Sequence, residues 1–221
     1  MGILDSLVNS VANSVKREAK NAANNAMSSA KRTAQTTINK AADKGIKTVA
    51  SNLQRKEMKV VFKTLPKNLE ELKALPEASL KEPHYAVALA MAALLLYNED
   101  RDACVEMLDY LNGPSDVGEY SKQFMDDRLE EKDYVVKSFF EGSKPENNYT
   151  PTEPYTIKVI QTAVTDEVVS EGYKRLFVQS SGADALREVR VRTKPSTGQW
   201  FLWEIYALSD IRIPKSADPW S

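Results

Sequence analysis

The chain has 221 residues, 42% of them apolar and 28% charged, with a net charge of -1; this is enough apolar material for the core of a medium-sized domain with an appendage. A single cysteine, Cys104, excludes an internal disulfide and a cysteine-built zinc site, and fits a reducing compartment. The most apolar run, Ala86 to Tyr97, is shorter than the roughly 20 residues a bilayer crossing needs, and the N-terminus lacks the pattern of a secretory signal, so the expectation is a cytoplasmic protein, soluble or peripheral at the inner face of the membrane.

The charge is unevenly placed. Residues 1 to 56 carry ten Lys and Arg against Asp5, Glu18 and Asp43, which leaves the remainder of the chain at about -8. A basic arm on an acidic body predicts an arm that meets something anionic or folds back on its own domain. The opening Met1 to Ser6 also fits the N-myristoylation pattern, with Gly2 as acceptor, which counts only in a eukaryotic host.

No proline and no aromatic residue precedes Phe62. Leu4, Val8, Val11, Val15, Ala19, Ala22, Ala26, Ala30, Ala34, Ile38, Ala41, Gly45 with Ile46, Val49 and Leu53 recur at close to an 11-residue repeat. This predicts one long amphipathic helix from residue 3 to about 54, roughly 75 Å long at 1.5 Å per residue. Bulky residues crowd its first turns (Ile3, Leu4, Leu7, Val8, Val11, Val15), while the middle of the stripe is alanine. Lys16, Lys20 and Lys31 directly follow stripe residues, so their stems can lie along an apolar surface while the ammonium reaches phosphate. Such a helix can lie on an anionic membrane surface, associate with other copies of itself through its small residues, or simply tether the domain. Nucleic acid ranks below these as a partner, because the basic residues are thinly spread and no aromatic is present to stack on a base.

From residue 57 the pattern is that of a folded domain. Met58 to Phe62 reads as a short strand stopped by Leu65-Pro66, and Asn68 to Leu75 as a short helix. Pro83 suits the first turn of a helix from His84 to Tyr97, which is apolar nearly all round and is expected at the buried centre. Asp100 to Leu111 follows, closed by Asn112-Gly113-Pro114, and then a more polar pair, Glu119 to Leu129 and Asp133 to Phe140. After Glu141-Gly142 the period shifts to that of strands at Tyr155 to Val164, Gly172 to Ser180, Arg187 to Thr193 and Gln199 to Ala207. The fold class is therefore α+β: a long N-terminal amphipathic helix over 1–56, then a domain over 57–221 with helices in 66–141 and an antiparallel sheet in 155–207 packed on the apolar helix.

The chain shows no glycine-rich phosphate loop, no Gly-x-Ser-x-Gly elbow and no calcium-loop spacing. His84, the only histidine, sits at a helix entry without a recognisable nucleophile, and Cys104 reads as a small core residue. The acidic run Asp126, Asp127, Glu130, Glu131 and Asp133 reads as a solvated helix end. We therefore expect no catalytic residue, no metal ligand and no cofactor: a non-enzymatic protein whose acidic domain meets a protein partner. Two loops are candidates for ligand binding. Between its prolines, Pro145 to Pro154 presents Asn147, Asn148, Tyr149 and Thr150 from a stiff backbone, and Ser180 to Asp184 with Arg187 offers hydroxyls, amides and a guanidinium to an anion. Both also read as ordinary turns whose side chains cap the backbone. A small-molecule site or an enzyme built on these loops or on the sheet is the remaining alternative. Trp200 and Trp203, three apart on a strand, should face opposite sides.

The segments Leu75-Pro76-Glu77-Ala78, Pro145 to Thr152, Ser180 to Asp184, Trp200 to Glu204, Asp210-Ile211-Arg212 and Asp218-Pro219-Trp220 resemble an uncharacterised family of bacterial proteins known only as a domain of unknown function. The likeness spans most of residues 57 to 221, and a basic Ala/Asn-rich helix also precedes the domain in that family. The resemblance implies no activity, cofactor or site residue.

Overall fold

In the computed structural model, which describes residues 55–162 and 172–220, alternating side chains draw five segments into one antiparallel sheet. The long helix expected over residues 3 to 54 and its stripe lie outside the described residues. The strands are β1 (Lys56–Phe62), β2 (Tyr155–Gln161), β3 (Tyr173–Val178), β4 (Arg187–Lys194) and β5 (Gln199–Ile205), in that spatial order. β1 precedes every described helix in sequence yet forms one edge of the sheet, pairing with β2 from Lys56 opposite Gln161 to Phe62 opposite Tyr155. The strand expected to reach Val164 is seen to Gln161, and residues 163–171 are not described.

Inward-facing Val60, Phe62, Ile157, Val159, Leu176, Val178, Val189, Val191 and Leu202 are all buried. They meet α2 (Pro83–Leu94), which touches all five strands and is buried at every position from Ala86 to Leu94. Its five alanines, from Ala86 to Ala93, let the helix axis approach the sheet, while Leu89, Met91 and Leu94 fill the remaining space; each such side chain contributes about 1.5–3 kcal/mol on burial. The apolar helix is thus the centre of the domain, as its sequence requires. It stops at Leu94, and Leu96 and Tyr97 continue in tighter turns, donating to Ala93 O and Leu94 O.

The surrounding helices are α1 (Leu69–Ala74), α3 (Arg101–Asn112), α4 (Glu119–Leu129) and α5 (Asp133–Lys137). Asn68 caps α1 by accepting from Glu71 N at 2.9 Å, and Asp100 caps α3 by accepting from Ala103 N at 3.0 Å; each satisfies a backbone donor that the helix cannot. α3 ends at Gly113, whose φ of 82° is open to glycine, and the Phe201 ring lies against its α-carbon. α5 is shorter than the expected Asp133 to Phe140. Ser138 turns its hydroxyl back to Val135 O at 2.7 Å and gives its carbonyl to Ser181 N at 2.9 Å, so the chain leaves the helix there and Phe140 bridges to Ile157 of β2.

The β4–β5 pairing is interrupted. Arg190 faces Glu204 and Val191 faces Leu202, so Trp203 is an extra, unmatched residue. Trp200 packs against the core, whereas Trp203 is exposed and stacks on Tyr173, with ring centres 4.5 Å apart.

Candidate functional site

An apolar opening lies where α4 passes the edge strand β5. It is a groove of about 270 Å³. Leu108 of α3, Met125 of α4 and Leu202 of β5 form its buried floor, and Tyr120, Trp203 and Tyr206 form its rim. Of the large apolar side chains exposed among the described residues (Val61, Tyr120, Trp203, Tyr206, Ile213 and Trp220), three meet at this one place. Exposed aromatics gathered around an apolar floor are characteristic of binding surfaces, whereas scattered ones are ordinary. Glu204 lines the groove and already accepts from Arg190 at 2.7 Å, while the Arg190 guanidinium stands 4.9 Å from the centre of the Tyr206 ring.

A second, polar cleft opens between the end of α2 and helices α3, α4 and α5, lined among others by Tyr97, Arg101, Asp126, Asp133 and Asn148. Arg101 donates to both oxygens of Asp126 at 3.0 Å, and the Tyr97 hydroxyl donates to the same carboxylate. Asn98 donates to Asp133 at 2.5 Å and to Leu129 O at 2.7 Å. Burial, and then the hydrogen bond to Asp126, push the Tyr97 hydroxyl up to about 12, while Arg101 and Tyr97 hold Asp126 below the usual carboxylate range. Tyr97 is thus a fixed donor rather than a base; it is engaged with Arg101 and Asp126, and Asn98 with Asp133.

The loop residues expected to meet a ligand are bonded within the chain, with Asn147, Asn148, Thr150 and Asp184 exposed and Tyr149 and Ser180 buried. Asn147 accepts from Lys144 N at 2.8 Å and donates to Gly142 O and Thr150 O at 2.9 and 3.1 Å; Thr150 donates back to Asn147 O at 2.8 Å. Asn148 accepts from Ser216 at 2.6 Å, which ties the loop to the turn Lys215–Ala217. Tyr149 is fully buried and its hydroxyl donates to Arg212 O at 2.7 Å. In the second loop, Ser180 is buried, donates to Ser138 at 2.7 Å and accepts from Gly182 N at 3.0 Å. Asp184 pairs with Arg212, and Arg187 donates to Asp210 O at 2.8 Å. The two loops are brought together by Arg212, whose carbonyl serves one and whose guanidinium serves the other, into a polar clasp that closes one end of the domain.

His84 packs at a tilt against Tyr85 with ring centres 4.6 Å apart, and burial lowers its pKa. Cys104 is fully buried in α3, where burial pushes its thiol up to about 12 and keeps it protonated. Among the described residues no group of three or more His, Cys, Asp or Glu is arranged to hold a metal ion, and no helix is long and apolar enough to cross a membrane.

The sequence profile of one family, described as Domain of unknown function (DUF6935), matches residues 64–215. The chain belongs to this family. No curated protein and no solved structure matches it. The DUF6935 match spans the groove, the cleft and the clasp, and it leaves out β1, although Val60 and Phe62 of that strand are part of the buried core. Sequence reasoning missed the groove. The available signal was Tyr120 and Phe124, two aromatics one turn apart on a mostly polar helix.

Proposed function

We propose that this chain is a non-enzymatic peripheral protein in which residues 1–56 attach to an anionic membrane surface and the α+β domain offers its α4–β5 groove to a protein partner. The observation that carries the reading is the partition of sequence chemistry. A segment with a continuous apolar stripe, flanked by Lys16, Lys20 and Lys31, is joined to a domain of opposite net charge. Apolar burial and about 1 kcal/mol per basic residue near an anionic leaflet suffice together for reversible binding. The groove supports the second half of the proposal, since its rim is aromatic and its floor apolar.

The experiment is co-sedimentation of the full chain with vesicles containing phosphatidylglycerol, compared with a Val8→Asp, Val11→Asp, Val15→Asp variant. Binding by the wild type and its loss in the variant are expected; equal co-sedimentation removes the membrane reading. Light scattering of the same two proteins without lipid separates the alternative, in which the stripe assembles copies of the chain. A wild-type mass several times that of the variant would favour assembly.

A further inference from the structure

The charge of the domain is divided between the two sides of its sheet. Helices α3 and α4, on the inner side, carry Asp102, Glu106, Asp109, Glu119, Asp126 and Asp127 against Arg101, Lys122 and Arg128, a net negative charge. The outer face of β1 and β2 is different. Glu57, Lys59 and Val61 alternate with the buried Val60 and Phe62 and so face outward, and Lys59 stands directly opposite Lys158 of β2. Like charges directly opposite on a sheet repel. Here Glu141 lies between them, 3.3 Å from Lys59 and 3.0 Å from Lys158. Arg55 takes up Glu57 at 3.0 Å. The four cations Arg55, Lys59, Lys63 and Lys158 therefore outnumber these two carboxylates among the described residues, and Val61, 49% exposed, lies in the middle of the basic stretch. A basic face with an apolar centre, on a body that is acidic elsewhere, is complementary to an anionic lipid surface and turns the acidic helices away from it.

We propose that the outer face of β1 and β2 is the domain's own contact with an anionic bilayer, with Val61 entering the headgroup layer and Lys59, Lys63 and Lys158 meeting lipid phosphates. This rests on the membrane reading above and extends it from the N-terminal segment to a defined surface of the folded domain. The consequence is a fixed orientation, in which the α4–β5 groove remains accessible to a partner.

The test is a fluorescent label at position 61 in the full chain. Cys104 is buried and its thiol protonated, so Val61→Cys supplies the single reactive site in the folded protein. A label at Glu106→Cys, exposed on α3, serves as the control. With an environment-sensitive dye, vesicles containing phosphatidylglycerol should shift the emission at position 61 to the blue and leave position 106 unchanged. In parallel, Lys59→Gln with Lys63→Gln should lower vesicle binding roughly 30-fold, from about 1 kcal/mol per cation. Wild-type co-sedimentation with no change at position 61 overturns the assignment of this face while leaving the N-terminal attachment intact. Absence of wild-type binding overturns both. A shift produced equally by inorganic phosphate at matched concentration overturns the bilayer as occupant.

Discussion

The hydroxyl of Tyr149 occupies the space that a side chain at Gly182 would need. A Cβ at that position would overlap the phenolic oxygen and lie 2.7 Å from Ile211. The ring cannot retreat easily, because its hydroxyl is bonded to Arg212 O at 2.7 Å and the residue is wholly buried. Gly182→Ala is therefore expected to destabilise the domain by about 1–3 kcal/mol, the usual consequence of forcing atoms into a filled interior. Urea denaturation checks it. A double variant with Tyr149→Phe should recover part of the loss, since the overlapping oxygen is gone, at the cost of leaving Arg212 O without this donor.

The same clasp depends on two buried hydroxyls. Ser180 donates to Ser138 at 2.7 Å, Ser138 donates to Val135 O at 2.7 Å, and Gly182 N donates to Ser180 at 3.0 Å. Ser180→Ala removes the acceptor for a buried amide, which costs about 1–3 kcal/mol. Ser138→Ala opens the same chain, so the two substitutions should be clearly less than additive when combined. Denaturation of both single variants and the double variant gives the coupling directly.

Much of the architecture is local and could be read from the chain. Asp100 caps α3, Pro83 opens α2 and Gly113 ends α3 because each solves a problem posed by its immediate neighbours. Alternation placed β2 to β5, and complete apolarity placed α2 at the centre. The departures all involve distant residues. α5 ends at Lys137 because Ser138 is engaged by Ser180 and Ser181, more than 40 positions away. Trp203 is unmatched because of the register that β4 imposes. The candidate ligand loops contained the right side-chain types, yet whether the exposed Asn147 keeps its amide free or closes its own turn with it depends on backbone angles that composition does not determine. The groove joins Tyr120 to Leu202 across some eighty residues, so the local pair Tyr120 and Phe124 marks only one wall of it.

Glu188 links the sheet to pH. Burial pushes its carboxyl up, but hydrogen bonds from Arg175 and from Arg190, the latter at 2.6 Å, outweigh burial and hold its pKa below the ordinary glutamate value of 4.5. A lowered folded-state pKa means that the stabilisation is fully present above pH 4.5 and is lost as pH falls through the folded value. Urea midpoints measured from pH 7 down to pH 3 should therefore decline more steeply for the wild type than for Glu188→Gln. At pH 7 the variant should already be weaker by about 1–3 kcal/mol, because the two guanidinium groups lose a charged acceptor in a site only 17% exposed.

The groove can be separated from the fold that supports it. Tyr120 is 84% exposed and Tyr206 is 49% exposed, so each contributes little to the core. Replacing either with Ser should change stability by no more than about 0.5 kcal/mol, as for most surface positions. Leu202 lies 3% exposed between β4 and α2, and Leu202→Ala should cost about 2–5 kcal/mol by leaving a cavity. Thermal unfolding distinguishes the two classes. If the groove receives a partner, the tyrosine variants retain the wild-type melting temperature and lose the interaction, because an aromatic rim that excludes water matters to binding rather than to folding. A substantial fall in stability for Tyr120→Ser would instead show that the rim belongs to the core, and the groove would then cease to be a docking surface.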